Sequence, residues 1–333
     1  TIPWQYGTMP DSYLLQNDGK GHFRDVTDQA APGLKKIGMV TQGVWTDIDK
    51  DGDQDLVISL EWGGIEAMMN DHGHFTRQSL TEKSGWWNFI LPVDLDQDGN
   101  IDFIAGNLGE NSRLRASATE PVKLYYNDFD GNGRKEQVLT YFLAGREIPF
   151  ANKDELQKQL PVLKKKYLYA EDFAKASLTD IFSQAKLQES EILKADYFDN
   201  AILFNNGKGK FSTVSMPWLA QLSSYRDALV VDANGDGLPD ILLAGNYYGS
   251  NIQMGRYDAD FGTLLINKGN RQFAAESLNG LTITGQVRHM RPIKIGGRDA
   301  IVLARNNDSA LILRFADAPM AGRQPLKIRA ARR

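Results

Sequence analysis

The chain contains no cysteine, so disulfide staples and thiolate chemistry are both absent; an extracellular setting stays open. No stretch approaches the roughly eighteen consecutive apolar residues of a membrane-spanning helix. Histidine is scarce, with His22, His72, His74 and His289 the full set. Three of them lie in turn-like sequence, and no H-E-x-x-H spacing offers a zinc site. A G-x-S-x-G elbow and a Walker loop are also missing. So is any excess of positive charge. The net charge is −4, with the acids gathered in a few short stretches, which argues against the basic face that nucleic acid requires. The terminal "KIRAARR" is basic but reads as a solvated end. The chain opens on Thr1 without a methionine or a secretory leader. That reads as a processed or excised piece of a longer polypeptide, with any anchor upstream.

With 333 residues, 42% of them hydrophobic, a sizeable core in one or two domains is expected. Four acidic loops organise the sequence: "DIDKDGDQD" (47–55), "DLDQDGNID" (94–102), "DFDGNGRKE" (128–136) and "DANGDGLPD" (232–240). Carboxylates or amides recur at alternate positions, glycine stands sixth and an acid stands ninth. So many carboxylates in nine residues repel one another without a cation, and hard oxygen donors around a sharp turn suit Ca²⁺. An EF-hand needs a bidentate Glu at position twelve, where this chain has Ile58, Ala105 and Leu243. Apolar runs such as "FILPV" before Asp94 and "ILLAG" after Asp240 flank the loops and read as buried strands. Each loop is therefore a turn between two strands.

A second repeat alternates with the first: an apolar run, an Asn, a glycine-containing turn and a returning Phe. It occurs at Asn17/Phe23, Asn70/Phe75, Asn205/Phe211 and Asn267/Phe273, and reads as a hairpin. Strand, acidic turn, strand, loop, strand, hairpin and strand make four strands per unit, the signature of a propeller blade. "MRPIKIGGRDAIVLAR" keeps the outline without the acids and reads as a degenerate blade. The spacing breaks at residues 137–200. There residues 152–193 are helical in character, Ser177 and Asp180 form an S-x-x-D helix start, and Pro161 begins or kinks a helix. The expected organisation is all-β: propeller blades at 1–136 and 201–320, a helical insertion at 137–200 acting as a lid on one blade, and a basic tail at 321–333.

Acids outside the loops, such as Glu61, Glu110 and Glu120, have no evident catalytic mate. Aromatic and planar polar residues between strands form a candidate ligand set: Trp62, Trp86, Trp87, Arg113, Arg115, Tyr247, Tyr248 and Arg256. Against that reading, large rings also serve as wedges between blades.

The segments "YLLQNDGKGHFRDVT", "GMVTQGVWTDIDKDGDQDLV", "AGNLGENSRLRAS", "YYNDFDGNGRKEQVLTY", "AEDFAKASLTDIF" and "LLAGNYYGSNIQMGRYDADFG" give the chain a resemblance to the FG-GAP/VCBS-repeat propellers. Within them it is similar to the bacterial surface proteins related to cartilage acidic protein, without their ASPIC/UnbV segment. The resemblance implies a propeller akin to the integrin α head, with up to four Ca²⁺ sites. The metal role then falls on Asp47, Asp49, Asp51, Asp53 and Asp55, and on Asp94, Asp96, Asp98, Asn100 and Asp102. In the third loop it falls on Asp128, Asp130, Asn132, Arg134 and Glu136, and in the fourth on Asp232, Asn234, Asp236, Leu238 and Asp240. Arg134 and Leu238 would offer only backbone carbonyls, and the lower charge of the fourth loop predicts weaker binding there. The expected work is non-catalytic binding at an extracellular or outer-membrane surface, with a glycan, a peptide or a partner protein as ligand. A structural subunit of an outer-membrane complex and a polysaccharide-degrading enzyme are the alternatives.

Overall fold

In the computed structural model, residues 6–314 and the backbone of Lys327–Ile328 are described; most of the basic tail lies outside them. Antiparallel sheets dominate, and the architecture is all-β and propeller-like. The first blade holds strands Met39–Thr46, Asp55–Asp71 and His74–Trp86. Its long strand is two limbs. Trp62 has φ 63°, and the Asn70 N–H donates to Asp55 Oδ1 at 2.8 Å, fifteen residues back. Fifteen residues of straight strand would span roughly 50 Å. The chain therefore reverses near Trp62, and this blade has four limbs like its neighbours.

The second blade pairs Phe89–Val93, Asp102–Gly106, Ala201–Asn205 and Phe211–Ser215, with Ala201 opposite Ala105. A later blade pairs Tyr225–Asp232, Asp240–Gly245, Thr263–Asn267 and Phe273–Ser277, with Lys327–Ile328 added beside Tyr225–Asp232. The last sheet is Val287–Ile295, Arg298–Arg305 and Leu311–Arg314. It has the outline expected of the degenerate blade. The innermost strands meet in the order Met39–Thr46, Phe89–Val93, Tyr225–Asp232, Val287–Ile295.

Each blade-to-blade seam has its own apolar cluster, because alternate residues of a strand face opposite sides of its sheet. Phe103 and Ala105 face Val57, Ile65 and Leu80 of the first blade, with Leu203 beside them. Ile104 between them points the other way, toward Val230, Ile241 and Leu265. Leu242 in turn packs with Met290, Ile301 and Leu303 of the last sheet. Strands buried on both faces read as unbroken apolar runs, which is why "FIAG" and "ILLAG" show no alternation.

The insertion is wider than the expected 137–200, and the strand pairing gives the reason. Asp102–Gly106 hydrogen-bonds directly to Ala201–Asn205, so the chain leaves the second blade at Asn107 and returns at Asn200. Within that excursion lies another four-stranded sheet, ordered Arg146–Pro149, Glu136–Leu143, Val122–Asn127, Glu191–Ala195, which carries the third acidic loop. Five short helices between Lys153 and Gln188 link its two edge strands. Pro161 immediately precedes one helix, and Ser177 with Asp180 forms a capping box at another. Their apolar residues, including Leu156, Leu163, Phe173, Ile181 and Leu187, close over Tyr125 and Val138 of the nested sheet. The helices thus cap that sheet.

Candidate metal loops and the opposite face

Both sequence repeats meet in space. In three blades the position-nine carboxylate accepts one N–H from its own loop and another from the hairpin Asn. Asp55 accepts from Ile48 and Asn70, Asp102 from Leu95 and Asn205, and Asp240 from Ala233 and Asn267. Each Asn amide donates back to the position-eight carbonyl, at Gln54, Ile101 and Pro239. Its carbonyl oxygen accepts from the turn glycine, at Gly73, Gly207 and Gly269. An Asn is needed because one side chain must donate and accept at once. The third loop has the first half of this arrangement, Phe129 N–H to Glu136. Asn17 forms its turn with Gly19 in the two-stranded sheet Leu15–Asn17/Phe23–Asp25.

Position six is glycine in all four loops, with φ from 84° to 98° at Gly133, Gly99, Gly237 and Gly52, a region that costs other residues roughly 1–2 kcal/mol. In the first two loops position four also turns left-handed without glycine, at Lys50 (φ 66°) and Gln97 (φ 58°). Their side chains tie the loops together. Lys50 Nζ donates to Asn100 at 2.8 Å, and Gln97 donates to the Gly237 carbonyl at 3.1 Å.

Carboxylates of positions one, three and nine converge in three loops: Asp47/Asp49/Asp55, Asp94/Asp96/Asp102 and Asp128/Asp130/Glu136, each with ligand atoms within 4.8 Å of one another. Positions five and seven stand outside these groups. Asp51 and Asp98 instead accept the N–H of Asp53 and Asn100, while Asn132 and Asp236 accept those of Arg134 and Leu238. In the fourth loop Asn234 occupies position three, and no three-acid group forms there among the described residues.

Whether a cation fits is tested by the position-one oxygens. Asp47 Oδ1 and Asp94 Oδ1 are buried without a hydrogen-bond partner, inside clusters that supply only oxygen donors. Buried orphan acceptors are costly, and a hard divalent cation is the partner that fits them. In the third loop Asp128 is already served by the N–H groups of Gly133, Gly131 and Asn132, which hold its carboxyl below the usual range, Gly133 most strongly. Burial has the opposite effect at position nine. It pushes Asp102 up to about 6 and raises Asp55, Asp240 and Glu136, a shift that a nearby cation would reverse. Arg271 also reaches the second loop, with Nε 2.7 Å from Asp96 Oδ2. Sequence spacing had no means of showing this contact, because Arg271 comes from another blade's hairpin.

Opposite the loops, the starting ends of the first three inner strands border a cavity of about 260 Å³, whose lining includes Tyr6, Glu61, Trp86, Arg226, Tyr247 and Tyr257. Of the candidate ligand residues, Trp86 and Tyr247 line it. Trp62 packs edge-on against Trp86 with centroids 5.1 Å apart. Trp87 is fully buried at the seam of the first two blades. Arg113 lies over Phe150 at 4.9 Å, Arg115 donates to the Glu110 carbonyl, and Arg256 lies over Tyr248 at 3.8 Å. Arg226, which sequence reasoning passed over, is the one cation among the described residues that line the cavity.

The family comparison bears on this geometry. The model of the FG-GAP-like repeat matches residues 47–105 and 178–243. The chain carries FG-GAP-like repeats. The first matched stretch runs from one acidic loop through the second to Ala105, and the second ends just past the fourth loop, within Asp240–Gly245. The first stretch thus holds two of the loops whose carboxylates converge, and the second holds the fourth loop, where no three-acid group forms among the described residues. No curated protein matches the chain. Among the described residues no helix is long and apolar enough to cross a membrane.

Proposed function

We propose that the chain is a non-catalytic binding or scaffold propeller of a bacterial cell surface or outer membrane, tied together by Ca²⁺ in its acidic loops. The observation that carries this reading is the pair of buried, partnerless oxygens, Asp47 Oδ1 and Asp94 Oδ1, within carboxylate groups held by backbone N–H groups. Converging acids so committed serve a structural cation rather than proton transfer. The loops brace one end of the blades and leave the other end for a ligand.

The loops rank by their unmet oxygen donors: first and second above third, with the fourth weakest. Isothermal titration with calcium should resolve two tighter sites. Asp94→Asn should remove one of them, and Asp128→Asn should leave both. Equal loss from either substitution would contradict the ranking. A second reading, a structural subunit, is favoured by Leu168 and Tyr169, which stand 74% and 71% exposed on the helical cap. It predicts a retained protein partner that Tyr169→Ser releases.

A further inference from the structure

Three of the inner strands carry a β-bulge near the end that faces away from the acidic loops. Pairing slips between Val40 and Gln42, between Tyr225 and Asp227, and between Val287 and His289, so the bulged residues are Thr41, Arg226 and Arg288. Bulges re-aim side chains, and they recur beside functional sites. Here they turn toward one place. Thr41 and Arg226 line the cavity, and the Arg226 and Arg288 guanidiniums lie 4.5 and 5.6 Å from the Tyr247 ring.

Two guanidiniums around one tyrosine repel each other. Arg226 Nε is buried and has no hydrogen-bond partner among the described residues, although a guanidinium presents a rigid fork of donors. Burial first, and Arg288 next, press the Arg226 pKa down to about 10, so an added negative charge would be welcome. Glu61 supplies one carboxylate to the lining and accepts the Tyr6 hydroxyl. Among the described lining residues Arg226 and Glu61 are the charged pair, and Arg288, outside the lining but near Tyr247, adds a second positive charge.

The remaining wall is rigid. Asn88 donates to both Ser224 Oγ and the Asn107 carbonyl at 2.7 Å, and the Thr41 hydroxyl donates to the Trp87 carbonyl at 2.8 Å. The volume falls just below the roughly 300–1,000 Å³ typical of drug-sized sites, which suits a single ring. Tyr6, Trp86, Tyr247 and Tyr257 give that ring aromatic surroundings.

We propose that this cavity binds a small carboxylate ligand of sugar-acid size, its carboxylate on the Arg226 fork with Arg288 adding attraction at the rim. Planar, bidentate recognition of carboxylate is what arginine does better than lysine. The proposal rests on the binding reading above and names its ligand class.

The test is titration of the full chain in saturating calcium with D-glucuronate, with D-glucose as the neutral counterpart. Saturable glucuronate binding is expected, with glucose at least tenfold weaker. Arg226→Gln should abolish glucuronate binding, Arg226→Lys should weaken it about tenfold, and Arg288→Gln, outside the lining, should weaken it severalfold while leaving the fold intact. Equal binding of the two sugars, no glucuronate binding, or unchanged affinity in Arg226→Gln and Arg288→Gln would overturn the proposal. Calcium-dependent melting measured on the same samples separates the two claims. A pocket that fails while calcium still stabilises leaves the calcium propeller standing.

Discussion

Asp102→Ala should lower the stability of the chain by about 3–5 kcal/mol even in the presence of chelator. Asp102 is fully buried. Its two oxygens accept the N–H groups of Leu95 at 3.0 Å and Asn205 at 2.8 Å, joining the acidic loop to a strand on the far side of the excursion. Alanine leaves both donors buried and unpaired, at about 1–3 kcal/mol each, a loss that relief of carboxylate repulsion in the cation-free loop offsets only in part. Asp98→Ala provides the contrast. The Asp98 side chain is 37% exposed and bonds chiefly to Asn100 within its own turn. It should weaken calcium binding yet stay within about 1 kcal/mol of the parent when calcium is removed. Urea denaturation of both variants in chelator measures the difference. Equal losses would mean that position nine is not the pin between loop and hairpin.

The second large effect is expected at Trp87. Its indole is fully buried among Val57, Ile90, Phe103 and Leu203, stacks on Tyr197 at 5.8 Å and donates Nε1–H to the Lys83 carbonyl. Trp87→Ala empties the seam between the first two blades and should cost about 3–5 kcal/mol. Trp218→Ala, at a side chain that is 69% exposed, should change stability within about 0.5 kcal/mol. Chemical denaturation of the two variants decides whether Trp87 is a wedge. A loss below about 1 kcal/mol at Trp87 would return it to the set of ligand residues.

These two residues also mark how far the sequence could be read. The acidic loops and the Asn hairpins were legible because each is a local device: a fixed run of acids, a glycine at positive φ, an Asn before a turn. That the two devices dock on each other was not. The Asp102–Asn205 bond spans 103 residues, and nothing near Gly106 signals that the strand waits for Ala201. The same pairing explains the insertion boundary, since a nested sheet has the same local grammar as a blade. In the tryptophan pair, "GWWN" offers two neighbouring indoles with no local distinction. Trp86 ends its strand and faces the cavity, while Trp87, just beyond that end, turns into the seam. The bulges at Thr41, Arg226 and Arg288 left no sequence signal at all, because they arise from pairing between strands.

Thermal melting of the full chain in millimolar calcium and in excess chelator tests the central claim most directly. Ligands that bind only the folded state raise its stability by RT ln(1 + [L]/Kd), about 2.7 kcal/mol at a hundredfold excess over Kd. Two occupied loops should therefore raise the melting temperature by several degrees, and Asp47→Asn with Asp94→Asn together should remove most of the rise. An unchanged melting temperature across calcium and chelator would contradict the account, because the buried oxygens of Asp47 and Asp94 would then be tolerated without a cation.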